Sequence, residues 1–291
     1  MTNSSDIPKS HPGSPPQSDE QFPRSKALPR QSPLFWVAEK DRYLRQLLIR
    51  DIQAETHRTL LVYFAVVTDA RAQIMLGDDA YFVEMLRDAK GGPVDLMIET
   101  PGGFTDPTEK IASVLRTLAP DLRVVVPCLA KSNGTMLALV GSNVIMGPGS
   151  ELGPADPFIQ ISPGNMVPAH FLIGAPNVDP IFVQAAHHAI TQTKKLAANL
   201  LSSGMMKGKT TAEVESVVQA LASRQQYPSH GSVIDADEAG RLGLSVTKLG
   251  PSDELWQRLW LLRCMYAHDA RRIGALKIFE GPNISNSLRP A

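Results

Sequence analysis

Residues 124–141 read VVVPCLAKSNGTMLALVG, and this stretch decides how the rest of the chain is interpreted. Three β-branched residues before a proline predict a buried strand, and the apolar run at 136–140 predicts a buried helix. Between them, AKSNG at 130–134 places Ser132 among small residues. A serine on a sharp strand-to-helix turn is the arrangement of a nucleophile elbow. The pattern alone leaves a second interpretation open, in which Ser132 only caps the helix that follows.

A second turn has the same setting. DLMIET at 95–100 predicts a buried strand, PGG at 101–103 ends it, and a helix is predicted over 108–118. Gly102 and Gly103 would let a ligand approach the backbone closely, and a helix N-terminus offers free N–H groups. Both turns follow the carboxyl ends of successive strands, which is where ligands bind in open α/β sheets. In the elbow, the backbone N–H of Asn133 is free to bind a developing oxyanion.

The hydrophobic periodicity of the remaining chain predicts strands that alternate with helices, the pattern of parallel βαβ units with helices on the sheet faces. The predicted strands are 60–67, 93–100, 122–127 and 143–146, and the longer predicted helices are 35–52, 108–118, 178–201, 211–222 and 254–270. We therefore expect a single α/β domain over 34–270 and an irregular C-terminal tail over 271–291. Residues 1–33 hold seven of the 23 prolines and seven serines. That composition predicts a disordered tail.

Composition excludes several classes of function. The 29 basic and 29 acidic residues balance, so no field attracts nucleic acid or an anionic membrane. Cys128 and Cys264 are too few for a disulfide framework, which favours a reduced, cytoplasmic protein. No stretch of about 18 apolar residues predicts a spanning helix. We expect neither a metal site nor a cofactor.

The two turns and their spacing resemble the Clp-protease/crotonase superfold, whose stacked ββα units carry a parallel sheet. More specifically, the chain resembles the serine dehydrogenase proteinases, relatives of signal peptide peptidase A and the Clp proteolytic subunit. The resemblance covers roughly 60–249. It rests on IETPGGFTDPTEKIASVLR, VVVPCLAKSNGTMLALVGSNVIMGPGSELGPADP and GMMKGKTTAEVESVVQALASRQQYPSHGSVIDADEAGRLGLSV. It implies an ATP-independent serine peptidase that acts on peptide or protein substrates as a homo-oligomer.

The resemblance also implies roles for individual residues. Ser132 falls on the serine nucleophile of the family. Gly102 and Gly103 fall on the glycine pair of the oxyanion hole, whose second donor would be the Asn133 N–H. Clp-type proteases place a histidine in the segment that reads GPADP here, and this chain has Asp156 instead. His230 falls about where they place the catalytic aspartate. The implied triad is Ser132, His230 and Asp156, with acid and base exchanged between two positions.

Several alternatives stay open. The signal peptide peptidases use a Ser–Lys dyad, for which this chain offers Lys131, expected to point away from the turn, or Lys194 and Lys195 on the long helix. Relatives commonly have SGG where this chain has SNG, and a tryptophan–threonine–histidine–aspartate run where it has YPSHGS at 227–232. A degenerate relative that only binds peptides or a partner would keep the fold. Crotonase-like chemistry on an acyl thioester would use the same amides.

The apolar run LWQRLWLL at 255–262, within helical additions after the sheet, predicts self-association.

Overall fold

The structure, a computed structural model, describes residues 32–290. This part of the chain forms a mixed α/β fold around a seven-stranded sheet with the strand order β11-β10-β1-β2-β3-β5-β9. The strands are β1 (Thr59–Ala65), β2 (Val94–Glu99), β3 (Leu122–Val126), β4 (Leu129–Ala130), β5 (Val144–Met146), β6 (Glu151–Leu152), β7 (Phe158–Ser162), β8 (Asn165–Pro168), β9 (Val246–Lys248), β10 (Lys277–Glu280) and β11 (Ser285–Leu288).

The four longer helices predicted after residue 100 begin and end within three residues of the predicted positions. The helices are α1 (Pro33–Ala38), α2 (Lys40–Thr56), α3 (Asp78–Leu86), α4 (Thr105–Leu118), α5 (Asn133–Ala138), α6 (Ala169–Gly174), α7 (Pro180–Ser203), α8 (Thr211–Leu221), α9 (Ala236–Arg241) and α10 (Glu254–Ile273). Side-chain caps define several starts. Asp179, Asp235 and Asp253 accept hydrogen bonds from backbone N–H groups of the helices that follow them. The helix predicted over 35–52 is interrupted at Glu39.

The sheet is covered by helices on both faces. One face packs against α3, α4, α5, α7 and α8, and the other against α2 and α10. Strands β1, β2, β3, β5 and β9 run parallel to one another, and β2 is buried along its whole length. Burial on both faces explains why these strands read as continuous apolar runs. The predicted α/β fold with a parallel sheet and helical C-terminal additions is confirmed.

Two short strands shape the carboxyl end of the sheet. After β3 the chain does not run directly into a helix, because β4 comes first and pairs in parallel with β6. Ala130 also bridges Thr100, the residue that follows β2. A long strand, a short second strand and a helix therefore follow one another, as expected for stacked ββα units. The elbow at Ser132 begins where β4 ends.

The expectation of an irregular tail over 271–291 is wrong for most of that segment. β10 pairs antiparallel with β1, and β11 pairs with β10, so both extend the main sheet. Phe279 stacks on Tyr63, and the buried ammonium of Lys277 donates to Asp78. These contacts come from distant parts of the chain, and four-residue strands with mixed polarity carry little periodicity of their own. Of the disordered tail expected over 1–33, only residues 32 and 33 are described, and they begin α1; residues 1–31 lie outside the described part.

A smaller apolar cluster lies apart from the two faces of the sheet. The β7–β8 hairpin, α6 and the first half of α7 share it, with Ala169, Leu172 and Ala186 buried at its centre. The hairpin starts directly after the GPADP segment at 153–157. Its position brings Phe158 and α6 next to Asp156 and to the segment that carries His230.

Candidate active site

Ser132 has a backbone conformation that few residues with a side chain adopt. Its φ is 53° and its ψ is −122°, although it is not a glycine. Such a conformation costs on the order of 1–3 kcal/mol and persists only where the surrounding structure enforces it. Gly134 allows the tight turn, because a Cβ there would lie 2.6 Å from the Thr100 side chain. The strained serine supports the elbow hypothesis.

The helix-cap interpretation of Ser132 is wrong. Ser132 occupies the N-cap position of α5, but its side chain accepts no hydrogen bond from that helix. Its hydroxyl has no hydrogen-bond partner anywhere in residues 32–290, and the residue is only half-buried. The hydroxyl is therefore uncommitted and open to a ligand.

Two backbone amides, one in the PGG turn and one in the serine elbow, are also uncommitted. The N–H groups of Gly103 and Asn133 donate to no acceptor in residues 32–290, whereas the Gly102 N–H donates to the Thr100 hydroxyl at 3.2 Å. Gly102 packs directly on the elbow, since a Cβ on it would lie 2.6 Å from the Lys131 carbonyl oxygen and 2.8 Å from the Ser132 Cβ. Of the predicted glycine pair, Gly103 thus keeps its amide free, and Gly102 supplies the close approach.

The side chain of Asn133 joins the two turns. Its amide nitrogen donates to the Gly103 carbonyl at 2.6 Å and to the Thr105 hydroxyl at 3.3 Å. The side chain that distinguishes SNG from SGG is therefore directed away from Ser132, toward the PGG turn. It fixes the positions of the two free amides relative to each other.

Lys131 points away from the elbow, as expected. Its ammonium lies 3.1 Å from a Glu151 carboxylate oxygen and donates to the backbone carbonyls of Leu152, at 3.2 Å, and Ser232, at 3.0 Å. Gly153 provides the space, because a Cβ there would lie 2.6 Å from the Lys131 Cδ. Lys131 thus anchors the segment that carries His230, and its three protons already have acceptors.

His230 and Asp156 lie in direct contact. The His230 Nδ1 is 2.7 Å from the Asp156 Oδ1, and Asp156 is 1% exposed. The Phe158 ring packs edge-on against the imidazole, with 4.6 Å between the ring centroids. The structure therefore brings the two residues together, but no hydrogen bond joins either of them to Ser132 within residues 32–290.

Arg224 is a further member of this cluster. Its Nη2 lies 2.6 Å from the Asp156 Oδ2, and its Nη1 donates to the Pro228 carbonyl at 2.6 Å. The Nη2–Oδ2 contact is an ion pair whose angle lies outside hydrogen-bond geometry. Asp156 thus faces His230 with one oxygen and a guanidinium with the other. The spacing of these residues along the chain has no motif that could have revealed the contact.

Two lysines of α7 point to different surroundings. The Lys194 ammonium donates to the Gln219 side chain at 2.8 Å. Lys195 lines a shallow cleft with Glu109 and His188. Neither ammonium forms a hydrogen bond with Ser132 in the described residues.

A second histidine lies near Asp156. The Nδ1 atom of His170, on α6, is buried without a hydrogen-bond partner. Burial lowers the pKa of His170, and the cations Lys194 and Arg224 act in the same direction, while Asp156 opposes them. A neutral imidazole is therefore favoured at this position.

An apolar groove of about 470 Å³ adjoins the PGG turn. Met75, Leu76 and Phe104 line it, and all three are exposed. The Ile74 N–H, next to Met75 in the chain, donates to the Gly102 carbonyl at 2.8 Å. A backbone hydrogen bond therefore joins the segment that lines the groove to the PGG turn. Among residues 32–290 no group of three or more metal-ligating side chains could hold an ion, and no helix there is long and apolar enough to cross a bilayer.

The fold and the strained serine define a protein of the ClpP-like class. A sequence profile of the ClpP-like SDH-type serine proteinases matches residues 73–267, and the chain belongs to this family. The uncharacterized protein MJ0137 of Methanocaldococcus jannaschii is 30% identical over 214 residues, which is 72% of this chain and 71% of that protein. The uncharacterized protein MJ1495 of the same organism is 33% identical over 112 residues, 38% of each chain.

Two solved structures of the 1510-N membrane-bound stomatin-specific protease are also similar. A serine-to-alanine mutant aligns with a TM-score of 0.44 at 18% identity, covering 69% of this chain and 84% of that one. A lysine-to-alanine mutant in complex with a substrate peptide aligns with a TM-score of 0.43 at 19% identity, covering 69% and 80%.

Proposed function

We propose that this protein is a serine peptidase that hydrolyses peptide bonds, without ATP, through an acyl-enzyme intermediate on Ser132. The observation that carries the proposal is the strained conformation of Ser132, whose hydroxyl has no hydrogen-bond partner in residues 32–290 and adjoins two uncommitted amides. Membership in a serine proteinase family supports the same chemistry. A structural serine would gain nothing from backbone strain of this size.

In the proposed reaction, the Ser132 hydroxyl attacks the scissile carbonyl carbon and His230 accepts the hydroxyl proton. The Gly103 and Asn133 amides, with Gly102 shaping the turn, stabilise the oxyanion. Collapse of the tetrahedral intermediate breaks the C–N bond, and His230 returns the proton to the leaving amine. Water then attacks the ester with His230 again as base, which releases the acyl group and restores Ser132.

The contacts favour His230 over a lysine as the base. The Asp156 carboxylate orients the imidazole at 2.7 Å, as the acid of a triad does. Lys131 already has acceptors for its protons, and Lys195 faces a different cleft. His230 would reach Ser132 directly or through one water when substrate binds, because catalytic hydrogen bonds are often loose without substrate.

The proposal includes self-association and a cytoplasmic setting. Trp256 and Leu259 on α10 are buried, but Trp260 and Leu261 expose about two fifths of their surface to solvent. Exposed aromatic side chains of this kind are enriched at contacts between proteins. The thiols of Cys128 and Cys264 are free, in keeping with a reducing compartment.

Turnover of a fluorogenic peptide library by the purified chain tests the proposal. We expect hydrolysis that Ser132→Ala abolishes, while Ser203→Ala leaves it intact because the Ser203 hydroxyl only bonds carbonyls of its own helix. Equal hydrolysis by the Ser132→Ala protein would contradict the proposal. Binding of library peptides without cleavage would instead favour a degenerate, peptide-binding relative, and turnover of acyl thioesters alone would favour crotonase-like chemistry.

A further inference from the structure

We infer that Arg224 is a positioning residue: it keeps the buried Asp156 carboxylate ionised and so holds His230 in the tautomer that can accept the Ser132 proton. The inference rests on the proposed function for its consequence in catalysis. Its electrostatic part concerns only Arg224, Asp156 and His230.

Arg224 is the cation that the buried Asp156 carboxylate contacts. Asp156 is 1% exposed, and a carboxylate in such a place needs a cation or several hydrogen-bond donors to stay ionised. The Arg224 Nη2 lies 2.6 Å from Oδ2 and supplies that cation. The other titratable groups near this carboxylate are His230 itself and His170 on α6, whose surroundings also include Lys194 on α7, while Lys131 bonds the backbone beside His230. His170 has a lowered pKa, and Lys194 is bonded to Gln219, so Arg224 is the permanent charge in contact with Asp156.

The His230 imidazole has its Nδ1 beside this carboxylate. An ionised carboxylate can only accept, so the His230 Nδ1 beside it must carry the proton, and Nε2 keeps its lone pair for the serine. A protonated Asp156 would donate to Nδ1 instead and move the ring proton to Nε2. In serine proteases, the wrong tautomer alone lowers turnover about 10⁴-fold.

Arg224 is itself held by two aromatic rings and a backbone carbonyl. Its guanidinium lies 5.8 Å from the ring centroid of Phe158 and 5.4 Å from that of Phe171, and its side chain is 14% exposed. Cation–π contacts of this kind favour a guanidinium between aromatic rings. The donation to the Pro228 carbonyl connects Arg224 to the chain two residues before His230. The Arg224 side chain therefore contacts Asp156, the segment that carries His230, and the aromatic rings of β7 and α6.

The test combines nitrogen NMR of the histidine rings with labelling of Ser132 by a fluorophosphonate, on the full chain with ¹⁵N-histidine. In the wild type we expect His230 to be protonated on Nδ1. In Arg224→Met, whose side chain still fits between the two phenylalanines, we expect the proton on Nε2 and a labelling rate lower by about a hundredfold or more. Arg224→Lys should keep the wild-type tautomer because it keeps the charge. Arg224→Gln is a second neutral variant if the methionine variant does not fold.

Arg241→Met is the matched control, since Arg241 forms an exposed ion pair with Glu238 and should change neither readout. An unchanged tautomer and labelling rate in both neutral variants, or a wild-type His230 protonated on Nε2, would overturn the inference. A tautomer switch in a protein whose Ser132 is never labelled would refute the proposed function and uphold the role of Arg224. Labelling of Ser132 without a tautomer switch in the neutral variants would support the proposed function and refute the role of Arg224.

Discussion

The Asn133 side chain donates to the Gly103 carbonyl at 2.6 Å, which joins the serine elbow to the neighbouring PGG turn. Both turns leave one backbone amide free, and this hydrogen bond sets the distance between those amides. Such preorganisation matters because an oxyanion hole works only when its donors are in place before charge develops.

Asn133→Ala should weaken the oxyanion hole while keeping its backbone N–H. We expect a rate of Ser132 labelling lower by about tenfold, because small displacements of catalytic groups have effects of this order or larger. The free energy of unfolding should fall by about 1 kcal/mol for the lost hydrogen bond. Labelling kinetics and urea unfolding measure the two effects. A labelling rate equal to that of the wild type would show that the Asn133 side chain has no role in positioning the two free amides.

Gly102→Ala should disrupt the elbow by a steric clash of the new Cβ, in addition to the cost of a positive φ for alanine. The new Cβ would lie 2.6 Å from the Lys131 carbonyl oxygen, at a residue with φ of 94°. Gly149→Ala is the control, since its φ is 81° but nothing lies within 4 Å of a Cβ. The control should cost about 1–2 kcal/mol of unfolding free energy, and Gly102→Ala should cost more and abolish labelling. Equal losses of stability in the two variants would argue against the close approach.

Lys277→Met should destabilise the protein and loosen the PGG turn. The buried Lys277 ammonium donates to Asp78, whose carboxylate accepts the Met75 N–H, and burial raises the pKa of Asp78. Removing one partner of a buried pair costs about 3–5 kcal/mol because an unpaired charge remains. The double variant with Asp78→Asn should recover much of the loss in urea unfolding.

The control for that pair is Arg87→Met. Arg87 forms an exposed ion pair with Glu84, and such pairs contribute about 0–1 kcal/mol. A loss in Lys277→Met no larger than in the control would refute a structural role for the buried pair. Failure of the double variant to recover stability would point to a role of Lys277 beyond neutralising Asp78.

The lowered pKa of His170 predicts a specific dependence of stability on pH. The unfolded chain binds a proton at this residue near its usual pKa of about 6.5, while the folded protein resists protonation. The contribution of His170 to stability is therefore present above that pH and is lost as the pH falls below it. His170→Gln should flatten the fall in unfolding free energy between about pH 7.5 and 5.5. The exposed His187→Gln serves as control, and identical pH dependence in wild type and His170→Gln would contradict the prediction.

Local sequence signals predicted the strands that are buried on both faces and the serine turn, because apolar runs and small residues act over a few positions. The β10–β11 hairpin was not predictable in this way, since Lys277 is buried only because Asp78 lies opposite it. The contact of Arg224 with Asp156 depends on how α8 and the β7–β8 hairpin each pack against α7, and no local pattern encodes it. The His230–Asp156 pairing could be anticipated only from the family resemblance, which supplied the positions but not the distance.

The most direct test of the central claim is the mass of the protein after treatment with a fluorophosphonate, followed by mapping of the modified peptide. We expect one adduct per chain, on Ser132. The adduct should be absent in Ser132→Ala and retained in Ser203→Ala. An intact mass without adduct in folded protein, or an adduct on another residue that survives Ser132→Ala, would contradict the claim that Ser132 is the nucleophile.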